Sequence, residues 1–105
     1  MTYLVSALQP AVLRLIKQVV DHGHEAGIWV GMCGEMAGEP LAIPILLGFG
    51  LDEFSMNPPA IPQAKAIIRR WDTEDAHFLA EQALLCQTPE EVENLVVNWP
   101  KDSEK

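Results

Sequence analysis

From Pro10 onward apolar residues return at intervals of three and four, as Val12, Leu13, Ile16, Val19 and Val20, with Arg14, Lys17, Gln18 and Asp21 between them. That spacing predicts an amphipathic helix with Pro10 in its first turn. Gly23 or Gly27 offers its stop, because glycine accepts the left-handed conformation that ends helices. The run Ile28-Trp29-Val30-Gly31-Met32-Cys33 breaks the pattern. It is apolar, partly β-branched and aromatic, and predicts a short buried strand. After a loop from Gly34 to Glu39, Pro40 opens a second helix through Leu41, Ala42, Ile43, Ile45, Leu46 and Leu47. Pro44 falls in or just past its first turn, where a missing donor costs least. This helix has almost no polar face, so it needs cover on most sides. One layer of a 105-residue chain does not readily supply that cover, and a further body is expected to provide it.

A second strand is predicted around Glu53-Phe54-Ser55-Met56, closed by Asn57-Pro58-Pro59. A helix follows from Pro62 to Trp71, and another from Thr73 through Leu84, whose Asp72-Thr73-Glu74-Asp75 start suits the N-terminal dipole. The last helix has Thr88 as N-cap, Pro89 at the first helical position and Glu91 to close a capping box. Val92, Leu95, Val96 and Trp99 form its apolar face, and the tail from Lys101 to Lys105 is expected to fray. Helix, strand, helix, strand, helix and two further helices argue for parallel strands with helical crossovers. Two strands leave both edges unpaired, and a complete eight-stranded α/β barrel takes about 250 residues. The chain therefore reads as one domain over residues 1–105 that forms part of a larger α/β body.

Composition narrows the function. A hydrophobic fraction of 49% supports a core, and the net charge of −8 comes from 15 acids against 7 scattered bases. No basic stripe could track a phosphate backbone, which excludes nucleic acid and adhesion to anionic membranes. The longest apolar stretch, Leu41 to Gly50, is about half the ~20 residues that span a bilayer. The first residues lack the basic region of a secretory signal, so a cytoplasmic location is expected. Cys33 and Cys86 are too few for a disulfide framework, and neither has metal-ligand spacing with His22, His24 or His77. His22 and His24, two apart, lie on different faces of a helix and read as structural or solvated.

Candidate chemistry gathers at Cys33, because the carboxyl ends of strands carry the sites of α/β proteins. Gly31 and Gly34 on either side remove side-chain bulk, so a small ligand could approach the thiol closely. Glu35, two residues on, would favour the protonated thiol, which suits a proton donor better than a nucleophile. The other reading of Cys33 is a small buried hydrophobe, as most free cysteines are. Ser55 and Asn57 either face the same pocket or serve as strand packing and a loop cap. Cys86, near a helix C-terminus that does not activate thiols, reads as packing.

The run Gly31-Met32-Cys33-Gly34-Glu35-Met36-Ala37-Gly38-Glu39-Pro40, followed by Leu47-Gly48-Phe49-Gly50-Leu51-Asp52-Glu53-Phe54-Ser55-Met56, closely resembles the Enzyme I family of the bacterial sugar phosphotransferase system, the phosphoenolpyruvate-protein phosphotransferases. The similarity extends back through Pro10-Ala11-Val12-Leu13-Arg14-Leu15-Ile16-Lys17 and forward into the last helices. The resemblance implies the C-terminal portion of a phosphoenolpyruvate-binding TIM (β/α)8 barrel, about two βα units plus extra helices, and a homodimer. It implies that Cys33 delivers the proton to the enolate carbon as pyruvate forms, beside substrate contacts at Gly34. The family usually has Asp where Glu39 stands. The phosphorylated histidine, magnesium ligands and phosphate-binding arginines of that family have no counterpart in these residues, so the Mg2+ site and the docking of the histidine-containing phosphocarrier protein are expected elsewhere. The isolated chain is accordingly expected to be inactive. Pyruvate phosphate dikinase and phosphoenolpyruvate synthase share a Cys-Gly-Glu turn and form a rival enzyme reading. A non-catalytic dimerisation or regulatory module is the rival from another class.

Overall fold

A computed structural model describes residues 8–33, 39–55 and 58–99. Among the described residues five α-helices and two short strands follow one another: α1 (Pro10–Glu25), β1 (Gly31–Cys33), α2 (Ile43–Phe49), β2 (Glu53–Ser55), α3 (Ile61–Arg70), α4 (Thr73–Leu84) and α5 (Pro89–Val97). A 3-10 turn, Pro58–Ala60, leads into α3. The two strands pair in parallel, with Gly31 opposite Glu53, Met32 opposite Phe54 and Cys33 opposite Ser55. Among the described residues these make the whole sheet, so the body is mostly helical.

The predicted strand from Ile28 is shortened to its last three residues, and the first part is not buried: Ile28 and Trp29 are 59% and 68% exposed. The cause is the way α1 ends. Gly27, at φ 76°, turns the chain into the left-handed region. Its N–H then donates to His24 O and the Ile28 N–H to Gly23 O. This paired closure occupies Ile28 with the helix, so no ladder can start there. Gly27 is thus the stop. Gly23 lies inside α1 and has another task, since a Cβ there would overlap the Val30 side chain.

Residues 40–42 form a turn, and α2 starts only at Ile43, later than the Pro40 start read from the sequence. Pro44 occupies its second position, where no helical bond is lost. Ile43, Ile45 and Leu46 are fully buried. Their cover corrects the expectation of an outside body, because α2 packs closely along α4 and touches α3. Leu13, Ile16 and Val20 of α1, Leu79, Ala80 and Ala83 of α4, and Val92 and Val96 of α5 complete this core. Ala64 and Ile67 of α3 enclose Ile43 from the other side. Each fully buried Leu or Ile is worth roughly 1.5–3 kcal/mol.

Polar groups lock the helix ends. Arg14 reaches from α1 to the carbonyls of Leu84 and Cys86, at 3.3 and 3.1 Å, and satisfies acceptors that the end of α4 leaves open. Thr88 Oγ1 accepts from Glu91 N–H at 3.1 Å. Glu91 returns the bond to the N–H of Gln87 at 2.7 Å, one residue earlier than the regular capping box expected from the sequence.

The closest approach of α2 to α4 lies at Gly48, where a Cβ would overlap the Ala76 carbonyl oxygen and lie 2.8 Å from Ala80 Cβ. Backbone cannot swing aside as a side-chain tip can. In an open helix Gly→Ala gains about 0.5–1 kcal/mol, but here overpacking of about 1–3 kcal/mol opposes it. Gly48→Ala is expected to lower the urea midpoint at unchanged m-value. A midpoint at or above wild type would contradict this account of the crossing.

Candidate active site

Parallel pairing brings the carboxyl ends of both strands to one side, and Cys33 and Ser55 are partners in the last pair. The two positions singled out in the sequence are therefore backbone neighbours. The side chains of Cys33 and Ser55, residues 34–38 with Gly34 and Glu35, and Met56 and Asn57 lie outside the described part of the molecule. Gly31, at the other end of β1, has the Glu53 side chain against it: a Cβ there would stand 3.1 Å from Glu53 Cβ and 3.3 Å from its Oε1.

At the amino ends of the strands a polar cluster has formed that sequence reasoning missed. The Asp52 carboxylate accepts from the Val30 N–H at 2.7 Å and its same oxygen faces His24 Nε2 at 2.8 Å. The Asp52 N–H in turn donates to Val30 O at 2.8 Å. Asp52 gets there because Gly50, at φ 89°, ends α2 in the left-handed conformation, and Leu51 then turns into the core. His24 comes from the last turn of α1. Its structural role agrees with the sequence reading, but nothing local in the sequence marks Asp52, one of two adjacent acids, as its partner.

Cys86 packs against the core at the end of α4, and its thiol lies 3.7 Å from Gln82 O as a weak donor. Burial, and secondarily the nearby Glu91 carboxylate, push this thiol up, away from the reactive form. That agrees with a packing role. His77 pairs with Glu81 at 3.1 Å on the exposed face of α4. Between α2, α3 and α5 opens a cleft of about 440 Å³, lined by Leu41, Pro44, Gln63, Ile67, Arg70 and Trp71 among others. Arg70, its single cation among the described residues, does not amount to a clamp on a phosphoryl group, which takes several positive groups at its oxygens. Among the described residues no three His, Cys, Asp or Glu side chains are grouped to hold a metal ion. No helix among them is long and apolar enough to cross a membrane.

Residues 1–73 match the family model described as PEP-utilising enzyme, PEP-binding domain. The phosphoenolpyruvate-protein phosphotransferase of Staphylococcus carnosus (strain TM300) is 48% identical over 102 residues, covering 97% of this chain and 18% of that protein. Its counterpart in Listeria monocytogenes is 49% identical over 98 residues, covering 93% of this chain and 17% of the relative. In Enterococcus faecalis (strain ATCC 700802 / V583) the figures are 48% over 101 residues, 95% and 18%. The chain thus spans less than a fifth of the length of these relatives. Their shared name does not favour the dikinase, synthase or non-catalytic readings.

The Val30 N–H, and after it the hydrogen bond to His24, hold the Asp52 carboxyl below its ordinary value, against a smaller opposing effect of desolvation. A depressed carboxyl adds stability above its unfolded-state value and loses it as pH falls through the folded-state one. Asp52→Asn should therefore be less stable than wild type at neutral pH, and the two should converge in acid, below about pH 4. Urea midpoints measured across that range check this. A gap that stays constant with pH would mean that the carboxylate charge contributes nothing.

Proposed function

The chain belongs to the PEP-utilising enzymes through their PEP-binding domain, and from that membership we propose that it is the C-terminal segment of the PEP-binding (β/α)8 barrel of a phosphoenolpyruvate-protein phosphotransferase. The whole enzyme transfers the phosphoryl group of phosphoenolpyruvate to one of its own histidines and then to a histidine-containing phosphocarrier protein, at the head of cytoplasmic sugar phosphotransfer. In this reading β1–α2 and β2–α3 are two βα units of the barrel, and α4 and α5 are the helices added after them. The observation that carries the reading is Cys33 at the carboxyl end of β1, paired with Ser55 in a parallel ladder. Barrel enzymes use that end of their strands for chemistry.

Breaking the bridging P–O bond of phosphoenolpyruvate leaves the enolate of pyruvate, whose methylene carbon must take a proton. Cys33 is the proposed donor: its S–H proton goes to carbon, and the thiolate regains one from water. Gly34 would give the substrate close access to the backbone. The magnesium ion expected for this chemistry has no donor set among the described residues, and its ligands, like the phosphate-binding arginines, would come from the remainder of the enzyme. The isolated chain is for that reason inactive.

Homodimer formation belongs to the same proposal. Apolar surface supports it: Leu15 and Val19 of α1 are 60% and 54% exposed, close in sequence to the exposed pair Ile28 and Trp29. An apolar hollow of about 170 Å³ lies beside them, lined by Leu15, Val19, Val30, Gly31 and Leu51. Leaving such side chains in water forfeits roughly 1.5–3 kcal/mol apiece.

In the full-length enzyme, Cys33→Ala is expected to slow pyruvate formation by about 10²–10⁴-fold, the usual contribution of a positioned general acid, with the fold intact by circular dichroism. Turnover at the wild-type rate would remove Cys33 from the reaction. For the 105-residue chain, sedimentation equilibrium at micromolar concentration is expected to show self-association that Leu15→Glu with Val19→Glu abolishes. A wild-type monomer would mean that this surface is tolerated in water.

A further inference from the structure

Val30 stands one residue ahead of β1, where main-chain groups entering a sheet ordinarily find backbone partners. Its carbonyl does so, accepting from the Asp52 N–H at 2.8 Å. Its N–H donates instead to the Asp52 carboxylate at 2.7 Å. One residue thus takes both main-chain groups of Val30, one through its backbone and one through its side chain. The same carboxylate oxygen faces His24 Nε2 at 2.8 Å, which ties this exchange to the last turn of α1. Directly after it come the pairs Gly31–Glu53, Met32–Phe54 and Cys33–Ser55.

A three-residue parallel ladder has little of its own to hold register. Register is normally set by the alternation of buried and exposed side chains and by tight turns. Here Gly31 brings no side chain, Glu53 is exposed, and the connection between the strands contains all of α2. A slip of one residue would carry the Cys33 Cα about 3.3 Å along the strand and reverse the face that each strand residue presents. The Asp52 exchange forbids such a slip, since its carboxylate and N–H would then meet different main-chain groups. It is anchored on both sides, by His24 to α1 and by Gly50 and Leu51 to the end of α2.

We infer that Asp52 is a positioning residue: through Val30 it fixes the register of β1 on β2, and with it the point at which Cys33 ends the strand. His24 orients the carboxylate for that task. The titratable groups that flank His24 and Asp52 in sequence are His22 and Glu25 on α1 and Glu53 on β2, but Val30 and His24 are the groups that act on the Asp52 carboxyl. The consequence for catalysis rests on Cys33 being the proton donor of the proposed reaction; the control of register does not.

Amide hydrogen exchange, followed by NMR on the 105-residue chain, separates these roles. Asp52→Ala is expected to speed exchange at Val30 and through Gly31–Cys33 by at least about tenfold, with Leu79 in the α4 core changed by less than about twofold. Asp52→Asn, which keeps an oxygen acceptor for the Val30 N–H, should restore part of the protection. His24→Ala leaves the carboxylate in place and should loosen the same amides by a smaller factor, which keeps the test available if Asp52→Ala does not fold. Unchanged exchange at Gly31–Cys33 in these variants would overturn the assignment. So would equal acceleration at Leu79, which would make Asp52 a contributor to global stability alone. Cys33→Ala is expected to leave the exchange pattern as it is, so failure of the proton-donor reading would appear in turnover of the full-length enzyme and not in this measurement.

Discussion

The contact of α2 with α4 is the constraint on which the rest of the chain depends. With Ile43, Pro44, Ile45, Leu46 and Phe49 all buried, α2 has no side to give to water. A helix of this kind must be surrounded, and the chain surrounds it with its own later helices. Gly48 permits the approach by lacking a side chain where Ala76 and Ala80 come nearest. Once α4 is seated, α1 and α5 have a surface to pack on, and Arg14 can reach across to the carbonyls at the α4 terminus. The strands on either side of α2 are held near each other as a result.

The strands themselves contribute little to that order. Three residues each cannot bury much, and their outer edges have no strand partner among the described residues. A sheet this short takes its geometry from whatever holds its ends. At the amino ends that is a charged side chain doing the work of a backbone carbonyl, braced by a histidine from the preceding helix. The arrangement suits the proposed role as one sector of a larger sheet: helices give the segment its own core, and minimal strands leave their edges for neighbours that the proposed barrel would supply.

Much of this was legible in the sequence. The periods of three and four in α1, α4 and α5 and the Thr88-Pro89 start of α5 each state a local preference that the fold obeys, and the apolar run before Cys33 does so over its last three residues. Local rules failed where two elements compete for the same residue. Ile28 looks like strand but is claimed by the helix closure at Gly27, and Gly23 looks like a stop but serves close packing against Val30. The cover of α2 was misjudged for a different reason. Apolar periodicity tells which faces need burial and not which neighbour supplies it, so Gly48 against Ala76 could not be foreseen. The Asp52 exchange was hidden likewise, because it joins residues 22 and 28 positions apart. The strand-end position of Cys33 was legible, whereas its role rests on a family likeness and not on periodicity.

The distribution of charge bears on how the proposed reaction is divided. Phosphoryl transfer needs cations and metal around the leaving phosphate, while carbon protonation needs only an acid held at one point over the enolate. With 15 acids against 7 bases, this segment is poorly suited to the first task. What the second task demands is position, since a proton donor displaced by about 1 Å loses much of its effect. A segment with its own helical core and a fixed strand register can meet that demand, and in the proposed enzyme the phosphate-binding charge would lie on the remainder of the protein.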